Sequence, residues 1–313
     1  AANHSKKLAH GSDSDGFYGL LMIQDKIVTK IIAVVVTYRP HLPRLNAQFH
    51  ALASQVASVV WVDNASGLTL DDRQTPHHCI ELATNTGIAH AQNVGILWAR
   101  EQGATHVLLM DQDSQPAPDM VENLLEALCQ RPNAAAVGPR YMDDRQNAHA
   151  TAKSPFVRLN QSGWGFERIP CQTNNDIIQV DCLIASGSLI PITVFDTVGL
   201  MRADWFIDYV DTEWCLRARQ HCMECYGVCG AKMSHSIGEN PFYFMGRAFP
   251  VHSPLRHYYQ IRNAIFLIKT PWVSWGWKKA LAWHIIQKMG FYAFILPPRL
   301  THIRQMVKAV WHG

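Results

Sequence analysis

Charge is scarce in this chain. Asp, Glu, Lys and Arg make up 17% of its 313 residues, against 48% apolar, which leaves ample material for a core in one large domain or two closely packed ones. The formal net charge of +3 is too small to argue for a nucleic-acid partner. No Gly-x-Gly-x-x-Gly follows the first apolar run and no Gly-Lys-Ser/Thr loop occurs, which argues against dinucleotide and P-loop chemistry. No apolar run is long and unmixed enough to span a bilayer, because Ala280–Leu296 is interrupted by His284, Gln287 and Lys288. No secretory leader precedes the eight scattered cysteines, so reduced thiols in a cytosolic compartment are expected. Cys222-x-x-Cys225 with Cys229 lacks a second Cys/His pair, so a zinc site is not expected there.

The 16 His and 10 Trp are abundant and crowd towards the C-terminal part. Residues 1–21 are polar, rich in Gly, Ser and Asp, and without periodicity; they are expected to be a disordered leader or appended remnant, with Met22 as the native start.

From there the chain alternates strands and helices. Ile31-Ile-Ala-Val-Val-Val36 reads as a strand buried on both faces and ends in Thr37-Tyr38-Arg39-Pro40. An amphipathic helix follows through Leu45, Phe49, Leu52 and Val56. Val59–Val62 ends in Asp63-Asn64, and Cys79–Leu82 is a third, short strand. Asn85 or Thr86 is expected to cap a helix whose Ile88, Ala91, Val94 and Trp98 share a stripe. Val107–Met110 is a strand that stops in Asp111-Gln-Asp113-Ser, with Pro116 and Pro118 marking the exit. This βαβ order predicts a parallel sheet with ligands at the strand C-termini. Three of those ends carry polar residues (Thr37, Asp63, Asp111/Asp113), as a nucleotide would require for base, ribose and diphosphate. Two carboxylates so placed suit a divalent cation on oxygen ligands; the bland alternative is a solvated turn.

Further on, Ala134–Pro139 reads as a strand, and 143–178 as a polar, aperiodic flap. Asp181–Ile190 returns to strand character, with Ser186 and Gly187 either touching a sugar or forming a glycine bulge. Asp208, Asp211 and Glu213 lie where a buried helix with Trp214, Leu216 and Ala218 begins; such acids are dipole partners or, beside a phosphate, a general base. His235 sits in a strand-to-loop context, as a structural residue or a ligand. Arg256 and Arg262, on a helix that starts near His252, either neutralise phosphate or form a plain basic face. In residues 272–313, Trp, Tyr, Lys and Arg flank apolar helical faces (Leu300, Ile303, Val307, Val310). These suit an interfacial helix on anionic lipid, or a helix docked on the body or on a second copy of the chain.

With these segments in order, the chain resembles the inverting family-2 glycosyltransferases of the GT-A fold, and among them bacterial rhamnosyltransferases of the rhamnolipid and O-antigen type. The resemblance covers roughly residues 30–270. It rests on Val-Val-Thr37-Tyr38-x-Pro, Val-Asp63-Asn64-x-Ser66, Asn85-x-Gly87-Ile-Ala-x-Ala-x-Asn93-x-Gly95, Leu-Met-Asp111-Gln-Asp113-Ser, Phe-Ile-Asp208-Tyr-Val-Asp211-Thr-Glu213-Trp-x-Leu-Arg217-Ala, His235-Ser-Ile-Gly and Arg256-x-Tyr-Tyr-x-x-Arg262-Asn263.

The resemblance implies an α/β GT-A fold: a Rossmann-like, mostly parallel sheet flanked by helices, with a C-terminal helical extension. Its implied division is a nucleotide-sugar half at 30–140, an acceptor and catalytic half at 141–265, and C-terminal amphipathic helices at 266–313. It implies that Thr37, Tyr38, Asp63, Asn85, Gly87, Asn93, Asp111 and Arg262 face the nucleotide, that Asp111, Asp113 and His235 hold Mg2+ or Mn2+, and that Asp211 is the catalytic base. Asp208, Ser186, Gly187 and Glu213 fall on the acceptor and sugar side. Val210 stands where the family has the first acid of a Glu-Asp pair, so the role of Asp208 stays open. The implied donor is dTDP-L-rhamnose and the acceptor a saccharide or lipid-linked hydroxyl, at the cytoplasmic face of the inner membrane. The rivals are a family-2 enzyme using a UDP- or GDP-sugar, a sugar-1-phosphate nucleotidyltransferase, and a non-catalytic sugar-nucleotide or glycan-binding protein. The nucleotidyltransferase would need a Gly-rich first loop bearing Arg and Lys, which Thr37-Tyr-Arg-Pro lacks.

Overall fold

The structure is a computed structural model that describes residues 29–68, 78–143, 156–235, 242–244, 247–249, 253–294 and 298–313. The expected leader 1–21, Met22, His252 and positions 144–155 of the expected flap lie outside these residues.

In chain order the elements are β1 (Ile31–Thr37), α1 (Leu42–Ala53), β2 (Ser58–Asp63), β3 (His78–Glu81), α2 (Ile88–Glu101), β4 (His106–Asp111), β5 (Ser114–Pro116), α3 (Met120–Gln130) and β6 (Ala134–Asp143). Then come β7 (Val157–Leu159), β8 (Phe166–Arg168), β9 (Ile177–Val180), β10 (Leu189–Pro191), α4 (Val194–Val198), α5 (Val210–Gln220) and β11 (Glu224–His235). The chain closes with β12 (Phe242–Phe244), β13 (Arg247–Phe249), α6 (Pro254–Lys269), α7 (Trp275–Phe294) and α8 (Arg299–His312).

Every residue of β1 is buried, as a continuous β-branched run demands. Its alternate side chains feed two cores: Ile32, Val34 and Val36 pack with Ala89, Ala91 and Ile96 of α2, and Ala33 and Val35 with Leu45, Phe49 and Leu52 of α1. Each fully buried aliphatic side chain contributes about 1.5–3 kcal/mol, so this strand between two helical layers anchors the sheet. The main sheet has the order β3-β2-β1-β4-β10-β6-β11-β5, with β9 also on β11. The β3-β2-β1-β4 pairings and β6-β11 are parallel; β10, β5 and β9 pair antiparallel. The ends of β1, β2 and β4 therefore reach one edge together, Thr37 beside Asp63 and Val36 beside Asp111 in register.

Several expectations are corrected. Helix α2 is preceded by Gly87, not capped by Asn85 or Thr86: no side chain caps it, and the Phe206 carbonyl accepts from Ile88 N–H at 2.8 Å. Helix α1 ends before Val56. Of the expected strand 181–190 only Leu189 and Ile190 belong to a strand, β10; Gly187, at φ +82°, turns the chain before it. The segment read as aperiodic holds the β7–β8 hairpin and β9. The thiols are not all free: Cys171 and Cys229 form a disulfide.

The C-terminal helices pack on the body and on one another, with Trp277, Ala280, Leu281, Ile285 and Tyr292 of α7 and His302, Met306 and Ala309 of α8 buried. Their other faces expose Trp275, Trp283, Ile286 and Phe294 on α7, and Leu300, Val307, Val310 and Trp311 on α8. None of the described helices is long and apolar enough to cross a membrane.

Candidate active site

At the β1 and β2 ends the polar groups hold one another. Asp63 accepts from Thr37 Oγ1 at 2.8 Å, from Ser66 N at 2.9 Å and from Ser66 Oγ at 2.5 Å, and Trp61 Nε1 donates to Thr37 Oγ1 at 2.7 Å. Asp63 is thus fixed within a buried network. Asn64 and Asn85 pair at 3.0 Å, and Asn85 Oδ1 also accepts from Gly87 N at 3.0 Å. Gly87 is required: at φ +85°, a Cβ would lie 2.5 Å from the Phe206 carbonyl oxygen. Tyr38 is exposed, and its backbone exchanges two bonds with the Gln112 side chain, 2.7 Å from its N–H and 3.3 Å to its carbonyl. Gln112, unremarked between the two acids in the sequence, ties the β4 exit to the β1 exit.

The acids of β4 meet the end of β11 through β5, because Ser114 pairs with His235 in the antiparallel ladder. Asp111, Asp113 and His235 each offer a ligand atom within 4.8 Å of the others, and His235 Nδ1 lies 3.4 Å from Asp113 Oδ1. Asp111 Oδ1 is buried without a hydrogen-bond partner, the situation of a ligand oxygen awaiting a cation. Two carboxylates and an imidazole form a donor set that fits Mg2+ or Mn2+. Burial, and then the neighbouring Asp113 charge, push the Asp111 carboxyl up to about 6. Behind this triad runs a chain of buried hydroxyls. His235 Nδ1 lies 2.8 Å from Ser114 Oγ, which lies 2.7 Å from Ser186 Oγ, which accepts from Asp111 N–H at 3.0 Å. Ser186 is fully buried and supports the acids from behind, while Gly187 donates to the Leu109 carbonyl at 2.7 Å.

Asp211 occupies the first turn of α5, where its Oδ1 accepts from Thr212 N–H at 2.7 Å. Burial raises its carboxyl above the ordinary carboxylate range, against the hydrogen bonds from Thr212 and the Ala185 N–H. Asp111 feels the charges of Asp113, His235, Asp211 and Arg256, so these groups share one electrostatic environment. The loop into α5 is bent hard: Phe206, Asp208 and Tyr209 have φ of +65°, +65° and +61°. Helix α6 holds it. Arg256 grips the Asp208 carboxylate, with Nε 3.1 Å from Oδ2 and Nη2 3.2 Å from Oδ1. Asn263 Nδ2 donates to the carbonyls of Trp205, Ile207 and Asp208 at 2.8, 2.9 and 2.9 Å.

Three expected site residues are engaged elsewhere. Asn93 exchanges two 2.9 Å bonds with the Met201 backbone. Glu213 is buried and paired with Arg217, at 2.9 and 2.8 Å. Arg262 donates to the carbonyls of Asp204 and Trp205, both at 3.1 Å, and lies over the Tyr259 ring at 4.9 Å. Arg256, not Arg262, is the arginine of α6 that faces the acids. Sequence reasoning did not single out Asn263 or Gln112; the one signal for Asn263 was its place beside Arg262 in the resembling motif.

Among known proteins, residues 33–192 match the family model described as glycosyl transferase family 2. The chain is 36% identical over 244 residues to the dTDP-rhamnosyl transferase RfbF of Shigella flexneri, covering 77% of this chain and 80% of that protein. It is 23% identical over 250 residues to the low-salt glycan biosynthesis hexosyltransferase Agl10 of Haloferax volcanii, covering 78% and 79%. In fold it is similar to GalNAc-T7 with UDP, GalNAc and Mn2+ (TM-score 0.56, 12% identity), covering 87% of this chain and 59% of that one. It is also similar to S. aureus TarS 1-349 in complex with UDP-GlcNAc (TM-score 0.54, 14% identity), covering 90% and 79%.

Proposed function

Because the chain belongs to glycosyl transferase family 2, we propose that it moves L-rhamnose from dTDP-L-rhamnose to a hydroxyl of a saccharide or lipid-linked acceptor, inverting the anomeric centre, in cell-surface glycan synthesis. The observation that carries this is the cluster of Asp111, Asp113 and His235, whose ligand atoms lie within 4.8 Å of one another, together with the similarity to RfbF over most of both chains.

In this reading residues 30–140 bind the donor and 141–265 present the acceptor. Thr37, Tyr38 and Asp63 take the nucleoside, with Asn85 and Gly87 alongside. Asp111, Asp113 and His235 hold Mg2+ or Mn2+, which when bound neutralises charge on the leaving diphosphate. Arg256, close to the same acids, is the protein's own cation for that charge. The acceptor oxygen attacks the anomeric carbon from the face opposite the diphosphate; the bond to the diphosphate oxygen breaks and its electron pair leaves with dTDP. Asp211 takes the hydroxyl proton as the new bond forms. Its burial supports this role, since a base whose pKa is raised towards neutrality accepts a proton more readily.

The same reading seats the protein peripherally on the cytoplasmic face of the inner membrane. From Asn240 to the end the sequence has ten Lys or Arg and no Asp or Glu, and the apolar faces exposed on α7 and α8 lie in this cationic stretch. Exposed Trp and aliphatic side chains in a stretch that carries cations and no acids suit an anionic lipid surface.

Thermal-shift screening of dTDP-rhamnose against UDP- and GDP-sugars, with and without Mn2+ or Mg2+, tests the donor. A metal-dependent rise with dTDP-rhamnose is expected. A rise confined to a UDP- or GDP-sugar would move the donor assignment, and no rise with any sugar nucleotide would overturn the reading.

A further inference from the structure

Helix α7 has two opposed faces. Leu281, Ile285, Lys288 and Tyr292 recur at helical spacing, and three of these four are buried against the body. Lysine is the odd member. An aliphatic residue would cover that surface without desolvating a charge, and burial does lower the Lys288 ammonium below its ordinary range. A half-buried ammonium persists where something nearby compensates it, and here the compensation leads into the site. Lys288 Nζ donates to Gln260 Oε1 at 3.2 Å, and Gln260 Nε2 reaches Asp208 Oδ1 at 3.4 Å. Gln260 is buried on α6, one turn beyond Arg256. An amide set between a cation and a carboxylate has one favourable orientation, oxygen to the ammonium and N–H to the carboxylate. The Asp208 charge also acts directly on Lys288 and on Tyr292 of the same helix.

We propose that Lys288 is a positioning residue of the transfer site: acting through Gln260, it holds the Asp208 carboxylate against Arg256 and so fixes the loop that delivers Asp211. Helix α7 then belongs to the catalytic architecture as well as to the surface of the molecule. This rests on the reading of Asp211 as the base.

The test compares Lys288→Met, Lys288→Arg, Gln260→Leu and the double variant Lys288→Met/Gln260→Leu in initial-rate assays of rhamnosyl transfer from dTDP-rhamnose. Gln287→Ala, an exposed change on the same helix, serves as control. Lys288→Met is expected to lower kcat about tenfold or more with donor KM within about twofold, a misplacement effect. Lys288→Arg should restore most of the loss. The double variant should be no slower than the slower single variant, because both changes break one relay. A kcat within about twofold of the parent for Lys288→Met, or a double loss equal to the product of the single losses, would overturn the proposal. Should Lys288→Met fail to fold, Gln260→Leu decides by the same kcat and KM criterion. Asp211→Asn is run alongside: if it keeps turnover, the reading of the site fails, whereas a dead Asp211→Asn beside an unaffected Lys288→Met removes only the role of Lys288.

Discussion

The Asn263 side-chain amide donates to the Asp208 backbone carbonyl at 2.9 Å, across 55 positions of sequence. The same nitrogen reaches the Trp205 and Ile207 carbonyls, so one buried side chain spans the loop in which Phe206, Asp208 and Tyr209 all take positive φ. Left-handed non-glycine residues cost of order 1–3 kcal/mol each and persist only where the surroundings hold them. Asn263→Ala takes one donor from each of those carbonyls, with Arg262 left on that of Trp205, at a cost of about 1–3 kcal/mol. Calorimetry should show Tm lower by several degrees, and initial rates should show kcat down more than tenfold. An unchanged kcat would mean that the loop keeps its shape without the clamp.

Asp211→Asn keeps the size of the side chain and its hydrogen bond to Thr212 but removes the carboxylate proposed as the base. Transfer should fall by about 10²–10⁴-fold. Nucleotide affinity, which the proposed function assigns to the β1, β2 and β4 ends, should stay within severalfold by titration calorimetry. Turnover near that of the parent would exclude Asp211 as the base.

The sheet was legible in the sequence because buried parallel strands leave an unmistakable trace. Ile31–Val36 and Val107–Met110 are unbroken apolar runs, and each stops where polar residues begin. What stayed hidden depended on short elements or distant contacts. The three-residue strands β5, β7 and β8 are too brief for any period to declare itself. Ser186 reads as a small polar residue free to meet a sugar, and only the arrival of Ser114 opposite it makes it internal. Arg256 and Arg262 are equally basic in sequence, but six residues along a helix place them on different faces. Packing turns the first towards Asp208 and the second towards the Trp205 carbonyl. The disulfide joins cysteines 58 positions apart, a separation from which no pairing can be read.

The raised Asp111 carboxyl has a definite sign. Its folded pKa of about 6 exceeds the ordinary 3.8, so between those values the folded protein binds more protons than the unfolded chain. Stability contributed by this group is present at low pH and is lost as pH rises through about 6 in the absence of metal. A divalent cation needs the same oxygens deprotonated, so its binding grows over the same interval. Melting curves should show Mn2+ raising Tm more at pH 7.5 than at pH 5, with Asp111→Asn reducing the difference. A metal-induced shift that does not vary with pH would separate Asp111 from the metal.

The face of α7 and α8 gives the last prediction. On α8, Leu300, Val307, Val310 and Trp311 point away from the buried His302, Met306 and Ala309, and Arg304 and Lys308 lie on the same helix. Each cation near an anionic surface is worth about 1 kcal/mol, weakened by salt, and the inserted apolar groups add a contribution that salt leaves intact. Flotation should therefore recover the protein with phosphatidylglycerol vesicles and much less with phosphatidylcholine vesicles, and high salt should reduce the recovery without erasing it. Val307→Ser/Trp311→Ser should lower recovery in both salt conditions while transfer to a water-soluble acceptor continues. If the double variant instead converts a dimer to a monomer and vesicles never retain the parent protein, this face meets a second copy of the chain, and its cations serve solubility alone.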